Sequence, residues 1–198
     1  MSGLSRQHDR ELLDALESRP SEAFSGETWR VTARGRDALR GSTAGGRWSP
    51  PGEFEVLYTS LARAGAMAEI GFRLSLEPVW PSRLEHELHR ITARTNSSLR
   101  FADVSSLSAL GVDVGRYANF EYSVTQAIAA AAFFLDFDGL IVPSARSTEL
   151  NLVIFTEKLD VGDRLKVEAS EPVDWSAWRL QHRSRLRPVT AIRTEPRQ

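Results

Sequence analysis

The sequence predicts an α+β domain with a mixed β core and flanking helices. Two observations carry this. Short strand-like and helix-like stretches follow one another without the β-α-β alternation of a doubly wound sheet. The longest apolar run, around Ala127–Leu135, is an alanine-rich stretch too short to span a bilayer. At 198 residues the chain is one domain, or one domain with appendages, and is long enough to bury most of its surface on folding. A hydrophobic fraction of 41% with 26% charged residues is ordinary for a globular domain.

The elements are read in order. Leu12, Leu13 and Leu16 have amphipathic spacing for a short helix over 8–18, ended by Pro20. Residues 28–33 (TWRVTA) read as the first strand. Residues 34–53 form a long loop, with one helical turn at Asp37-Ala38-Leu39; a loop of that length in a compact domain is usually functional or disordered. Residues 55–59 (EVLYT) read as the second strand, and Ser60 as the N-cap of a helix from Leu61 to Arg73. Gly65 and Gly71 weaken that helix unless they allow close packing. Pro78–Ser82 is a turn, and 83–93 is a polar segment that reads as a strand, although its composition also suits a helix. Residues 99–104 read as a strand leading into a helical turn closed by Gly111. Ser123 with Gln126 fits a capping box opening a helix to Leu135, and strands follow at 139–142 and 151–155. The tail from Pro172 carries Trp175, Trp178 and Arg179, Arg183, Arg185, Arg187, Arg193 and Arg197, with Arg164 near its base.

Composition excludes several function classes. A net charge of −1 gives no basic excess for nucleic acid, and Glu168, Glu171, Asp174 and Glu195 dilute the tail's arginines. Cysteine is absent, so disulfides and thiolate chemistry are excluded. His86 and His89 are three apart, a spacing that metal ligands use on a helix, but no third ligand is evident and no metal is expected. The N-terminus lacks a signal-peptide core, and a cytoplasmic location without membrane contact is expected.

The most informative stretch is Gly45-Gly46-Arg47-Trp48-Ser49-Pro50-Pro51-Gly52, followed by Val56-Leu57-Tyr58-Thr59-Ser60 and Ala68-Glu69. A loop stiffened by proline and holding an arginine suits an anion, because guanidinium is permanently charged and fork-shaped. Glu69 falls on the side of its helix that carries Met67 and Phe72, where a carboxylate is unfavourable unless partnered. An ion pair with Arg30 or Arg47 would satisfy it. Upstream lies Thr28-Trp29-Arg30-Val31; downstream lie Asp138–Arg146 (DGLIVPSAR) and Asn151–Phe155 (NLVIF).

This ordered set resembles the RES domain, over roughly residues 24–160. The resemblance implies an ADP-ribosyltransferase-like fold and a bacterial toxin of a toxin–antitoxin pair that consumes NAD as substrate. It divides the chain into an N-terminal helical extension (1–23), the RES domain (24–160) and an arginine-rich tail packed on the domain (161–198). Breaking the nicotinamide–ribose bond generates an oxocarbenium-like sugar beside a negative pyrophosphate. Cations, a flat ring and a carboxylate are therefore needed. By resemblance Arg30, Glu69 and Ser144 are the catalytic set, Arg30 and Arg47 anchor NAD, and Tyr58 stacks on nicotinamide. Trp48 is a core plug or a pocket wall, with the core favoured. Arg146 and Asn151 are further NAD-binding candidates. Ser144 is preferred to Ser147 because it sits at the strand end. With no histidine nearby, Ser144 reads as a hydrogen-bond donor to ribose or phosphate and not as a nucleophile. The acceptor stays open among phosphate, water and a protein side chain. Specific protein ADP-ribosylation and a non-catalytic regulatory subunit are the alternatives. The expected partner is an Xre-like antitoxin, with a homodimer or a higher toxin–antitoxin assembly as further states.

Overall fold

The computed structural model describes residues 9–182. Helices are α1 (Arg10–Glu17), α2 (Arg63–Ser75), α3 (Ser123–Phe134), α4 (Val161–Arg164) and α5 (Trp175–Gln181). Strands are β1 (Ser21–Ala33), β2 (Val56–Ser60), β3 (His86–Arg100), β4 (Gly139–Pro143), β5 (Leu150–Phe155) and β6 (Leu165–Pro172). The strands form one mixed sheet in the order β1-β2-β5-β4-β3-β6, and β1 also pairs with β3. That extra pairing curls the sheet on itself. β1 runs antiparallel to β3 along almost its whole length, Trp29 opposite Arg90, and meets β2 through Trp29 opposite Ser60. β4 joins the C-terminal end of β3 in parallel, Ser98 opposite Gly139, while β6 pairs antiparallel with its N-terminal half.

Three clusters fill the fold. Leu57, Ile141, Leu152 and Ile154 pack on one side of the curled sheet with Ala93, Leu165 and the half-buried Phe24. On the other side of β2, β4 and β5, Val56, Leu140, Val142, Val153 and Phe155 meet α3 and Leu16 of α1. The middle of α3 is apolar all round, as an enclosed segment must be: Ile128, Ala129, Ala131 and Ala132 are fully buried, while Val124 and Phe134 at its ends are exposed. The third cluster packs Val31 and Trp29 of β1 against Ala66 and Met67 of α2, with Trp175 of α5.

Gly71 shows why a glycine stands inside α2: a Cβ there would lie 2.2 Å from the Trp178 ring. It allows α5 to dock on α2. The expected close packing at this glycine is therefore against an indole.

Several expected elements differ. Residues 83–93 are not among these: they lead into and form the start of β3, the strand reading, with β1 and β6 on its two edges. His86 and His89 consequently point to opposite faces of a strand. His89 is buried between Thr32 Oγ1 (2.8 Å) and Ser170 Oγ (2.7 Å), tying β1, β3 and β6 together. β3 ends at Arg100, so the strand predicted over 99–104 is only its tail. Ser60 does not cap α2: the N-cap is Ala62, and the Ser60 hydroxyl donates to the Leu150 carbonyl across the sheet. The capping box at Ser123 is also absent, because Gln126 Nε2 donates instead to the carbonyls of Gly46 and Ser49. Asp37 makes a side-chain turn to Leu39 N rather than a helical turn. Residues 165–181 of the tail form β6 and α5; Arg183, Arg185, Arg187, Arg193 and Arg197 lie outside the described residues.

Candidate active site

The β4–β5 hairpin sets the geometry. Val142 lies opposite Asn151 and Pro143 opposite Leu150, so Ser144, just past β4, and Asn151, just inside β5, emerge side by side. α2 passes over them and contributes Glu69, which is half-buried. Ser144 Oγ donates to Glu69 Oε1 at 2.6 Å, and Asn151 Nδ2 donates to the same oxygen at 3.2 Å. Ser144 Oγ in turn accepts from the backbone amides of Arg146 (3.0 Å) and Ser147 (3.2 Å). Its one proton is thus spent on Glu69, and it is a fixed donor to a carboxylate. Ser147 instead accepts from Glu149 N. Asn151 Oδ1 is buried without a hydrogen-bond partner.

The expected ion pair from Glu69 to Arg30 or Arg47 does not form; two neutral donors satisfy the carboxylate in its place. Arg47 and Arg146 are close by but are held on aromatic rings. Arg146 lies 3.6 Å from the ring centre of Phe72 and 5.3 Å from that of Phe120. Arg47 lies 4.5 Å over Tyr117 and 4.8 Å over Tyr122, and donates to the Asn119 carbonyl at 3.1 Å. Burial lowers the Arg146 pKa; the charge of Glu69 opposes that shift and the charge of Arg47 adds to it. The guanidinium of Arg146 makes no hydrogen bond or ion pair among the described residues.

The loop that carries Arg47 is set by Tyr58, whose hydroxyl accepts from Trp48 N at 2.9 Å. Gly46 permits this, since a Cβ there would lie 2.8 Å from the Tyr58 hydroxyl. Burial pushes the Tyr58 phenol well up. Trp48 is 2% exposed and is a core residue, as favoured from the sequence. Tyr117, its pKa raised by burial to about 12, donates to the Pro143 carbonyl at 2.7 Å, one residue before Ser144.

Arg30 is not part of this group. Trp29 and Val31 face α2, so strand alternation turns Arg30 to the opposite side of β1. There its pKa falls to about 10, chiefly through burial and then through Arg36, against the opposing charges of Asp37 and Glu55; its Nη1 is buried without a partner. The residues sequence reasoning missed are Phe72, Tyr117, Asn119, Phe120 and Tyr122. The crowding of three aromatics into Tyr117–Tyr122 was a visible signal for them. A cavity of about 380 Å³ between Trp80, His86, Trp175 and Arg179 is not lined by Glu69; another of about 190 Å³ adjoins Arg47 and Tyr117. We centre the site on Glu69 because the interacting charges converge there. Among the described residues no group of three or more His, Cys, Asp or Glu could hold a metal ion.

Residues 27–176 match the RES domain family. The chain belongs to that family. NAD(+) phosphorylase MbcT of Mycobacterium tuberculosis is 26% identical over 160 residues, covering 78% of this chain and 86% of that protein. Probable NAD(+) phosphorylase Rv3189 of the same organism is 33% identical over 141 residues, covering 68% and 66%. In the crystal structure of the M. tuberculosis MbcT–MbcA toxin–antitoxin complex, one chain superposes with a TM-score of 0.76 at 24% identity, over 89% of this chain and 98% of that one. The α+β architecture implied by the RES motifs is therefore that of a solved relative. Of the three residues that the RES resemblance suggests, Glu69 and Ser144 touch, and Arg30 lies across β1.

Proposed function

We propose that this RES protein is the toxin of a toxin–antitoxin pair and that it destroys NAD by phosphorolysis of the nicotinamide–ribose bond. The observation that carries the chemistry is Glu69 held by Ser144 and Asn151 beside two guanidiniums that are not spent on it. Both hydrogen bonds go to Oε1, which leaves Oε2 to face the sugar. As the C–N bond breaks, its electron pair leaves with nicotinamide, which departs neutral. No acid is needed to protonate it, and the site has no histidine. The ribose carbon becomes positive, and a fixed carboxylate stabilises it. A phosphate oxygen then bonds to that carbon, giving ADP-ribose phosphate. Arg47 and Arg146 take the pyrophosphate. Asn151 Oδ1 offers an acceptor to a ribose hydroxyl or to the carboxamide.

Arg30 acts indirectly in this reading. Its charge attracts those of Asp37 and Glu55 at the base of the loop that carries Arg47. Tyr58 supports the same loop through Trp48. The names NAD(+) phosphorylase and toxin–antitoxin complex borne by the relatives support phosphate as acceptor and an antitoxin as partner. We assign that partner an Xre-like DNA-binding domain, and the toxin a cytoplasmic site of action.

The test is nicotinamide release by purified protein with and without phosphate. Phosphate-dependent release that disappears in Glu69→Gln is expected. Release independent of phosphate indicates hydrolysis. Adenylate label on a protein band indicates ADP-ribosylation.

A further inference from the structure

Six side chains form an alternating ladder across the mouth of the site. Phe72 and Phe120 are stacked with centroids 6.3 Å apart and planes at 28°. The Arg146 guanidinium contacts both rings. Phe120 then meets Tyr122 edge-on at 6.3 Å, and Tyr122 and Tyr117 hold Arg47. Both ends of the ladder are fixed to the catalytic group. Phe72 lies one helical turn after Glu69 on α2, and Tyr117 is bonded to Pro143, which precedes Ser144. The middle of the ladder is Phe120, 62% exposed. A large ring left that open gains little from burial. Its contact with a cation that lacks hydrogen bonds is the interaction the geometry provides.

We propose that Phe120 is a positioning residue that holds the Arg146 guanidinium for the pyrophosphate of NAD. This rests on the function proposed above. Arg146 sits on a surface loop, and a free arginine there would sample many rotamers before each binding event. Seated over Phe72 at 3.6 Å and flanked by Phe120 at 5.3 Å, the guanidinium is restricted to few orientations, and its side away from the two rings stays open to an anion. Arg47 is held in the same way by Tyr117 and Tyr122. The pair is spaced by the Phe120–Tyr122 contact, so one short segment sets the position of both cations. Neither ring touches the reacting carbon, so Phe120 acts on binding and not on bond cleavage.

The test is steady-state nicotinamide release by Phe120→Ala, Phe120→Tyr and Phe120→Leu beside wild type, with NAD binding measured by calorimetry. Phe120→Ala should raise KM and the dissociation constant for NAD about two- to fivefold, the range of one exposed cation–π contact, with kcat unchanged. Phe120→Tyr should restore both, and Phe120→Leu should not, because it is apolar but has no π face. An unchanged KM in Phe120→Ala, a loss confined to kcat, or full rescue by Phe120→Leu overturns the inference while wild-type turnover keeps the proposed function. A wild type that releases no nicotinamide removes that function, and this inference with it.

Discussion

Asn151→Asp tests the centre of the site with one atom. The change replaces an N–H donor 3.2 Å from Glu69 Oε1 with a carboxylate oxygen. Two unit charges at that distance repel by about 5 kcal/mol at an effective dielectric of about 20. The pair escapes by keeping one proton, as paired carboxylates do, so one of the two titrates well above the usual carboxylate range. Below that pKa the introduced group, in its protonated form, donates to Glu69 much as the amide does. Above it the bond is lost and Glu69 is pushed away.

Activity of Asn151→Asp relative to wild type should therefore fall as pH rises. The assay is nicotinamide release from about pH 5 to about pH 9, a window above the ordinary carboxyl values. Stability should move the same way. The added group has its folded pKa raised above its unfolded value near about 3.9, so the destabilisation is absent below that value and grows as pH rises through the folded pKa. Thermal melts across the same range give the second readout. A constant ratio to wild type at every pH, in activity and in Tm, would refute the contact between Asn151 and Glu69.

Ser144→Ala should lower kcat/KM by roughly 10- to 150-fold, since a charge-assisted hydrogen bond contributes about 1.5–3 kcal/mol, and nicotinamide release measures it. Arg47→Ala should weaken NAD binding by a comparable factor with an unchanged Tm, whereas Arg30→Ala should lower Tm and NAD affinity together; calorimetry beside melting curves separates them. Gly71→Ala should destabilise by about 1–3 kcal/mol through overpacking on Trp178, seen as a lower Tm and altered tryptophan fluorescence. His89, its pKa lowered by burial first and by Arg30 as well, is held neutral in the fold, so Tm should drop as pH falls below about 6.5, where the unfolded chain takes the proton first; His89→Gln should flatten that drop.

Much of this fold is legible in the sequence where local pattern and final environment agree. The strands expected at 55–59, 139–142 and 151–155 become β2, β4 and β5 to within a residue at each end, and the alanine-rich run becomes α3. Where an element owes its state to neighbours, composition alone is ambiguous. His86–Arg100 is a strand because β1 and β6 flank it, not because its residues prefer one. β6 and α5 are hidden in a tail whose arginines suggest an appendage. For the candidate site, the RES resemblance points to Glu69, Ser144, Asn151, Arg47 and Arg146, yet not to the contacts they make. Arg30 illustrates the limit: strand alternation says that it faces away from Trp29, but only the packing of α2 says which face carries Glu69.

The pairing itself explains how acidic and basic groups coexist in one small site without cancelling. Had Arg47 or Arg146 closed on Glu69, the carboxylate would be neutralised and the cation lost to the pyrophosphate. Instead Glu69 is satisfied by a hydroxyl and an amide, which fix it without offsetting its charge. The guanidiniums are satisfied by ring faces, which hold a cation while leaving most of its N–H groups free. Under the proposed function, opposite charges so separated suit a substrate that carries both signs in the transition state, a cationic sugar beside an anionic diphosphate. Removing the ring faces should therefore change more than affinity. In Phe72→Ala, Arg146 has lost its nearest ring and is free to swing onto Glu69, so both binding and kcat should fall. Phe120→Ala leaves Phe72 in place and should spare kcat. A structure or a charge-reversal rescue showing Arg146 still clear of Glu69 in Phe72→Ala would break this reasoning.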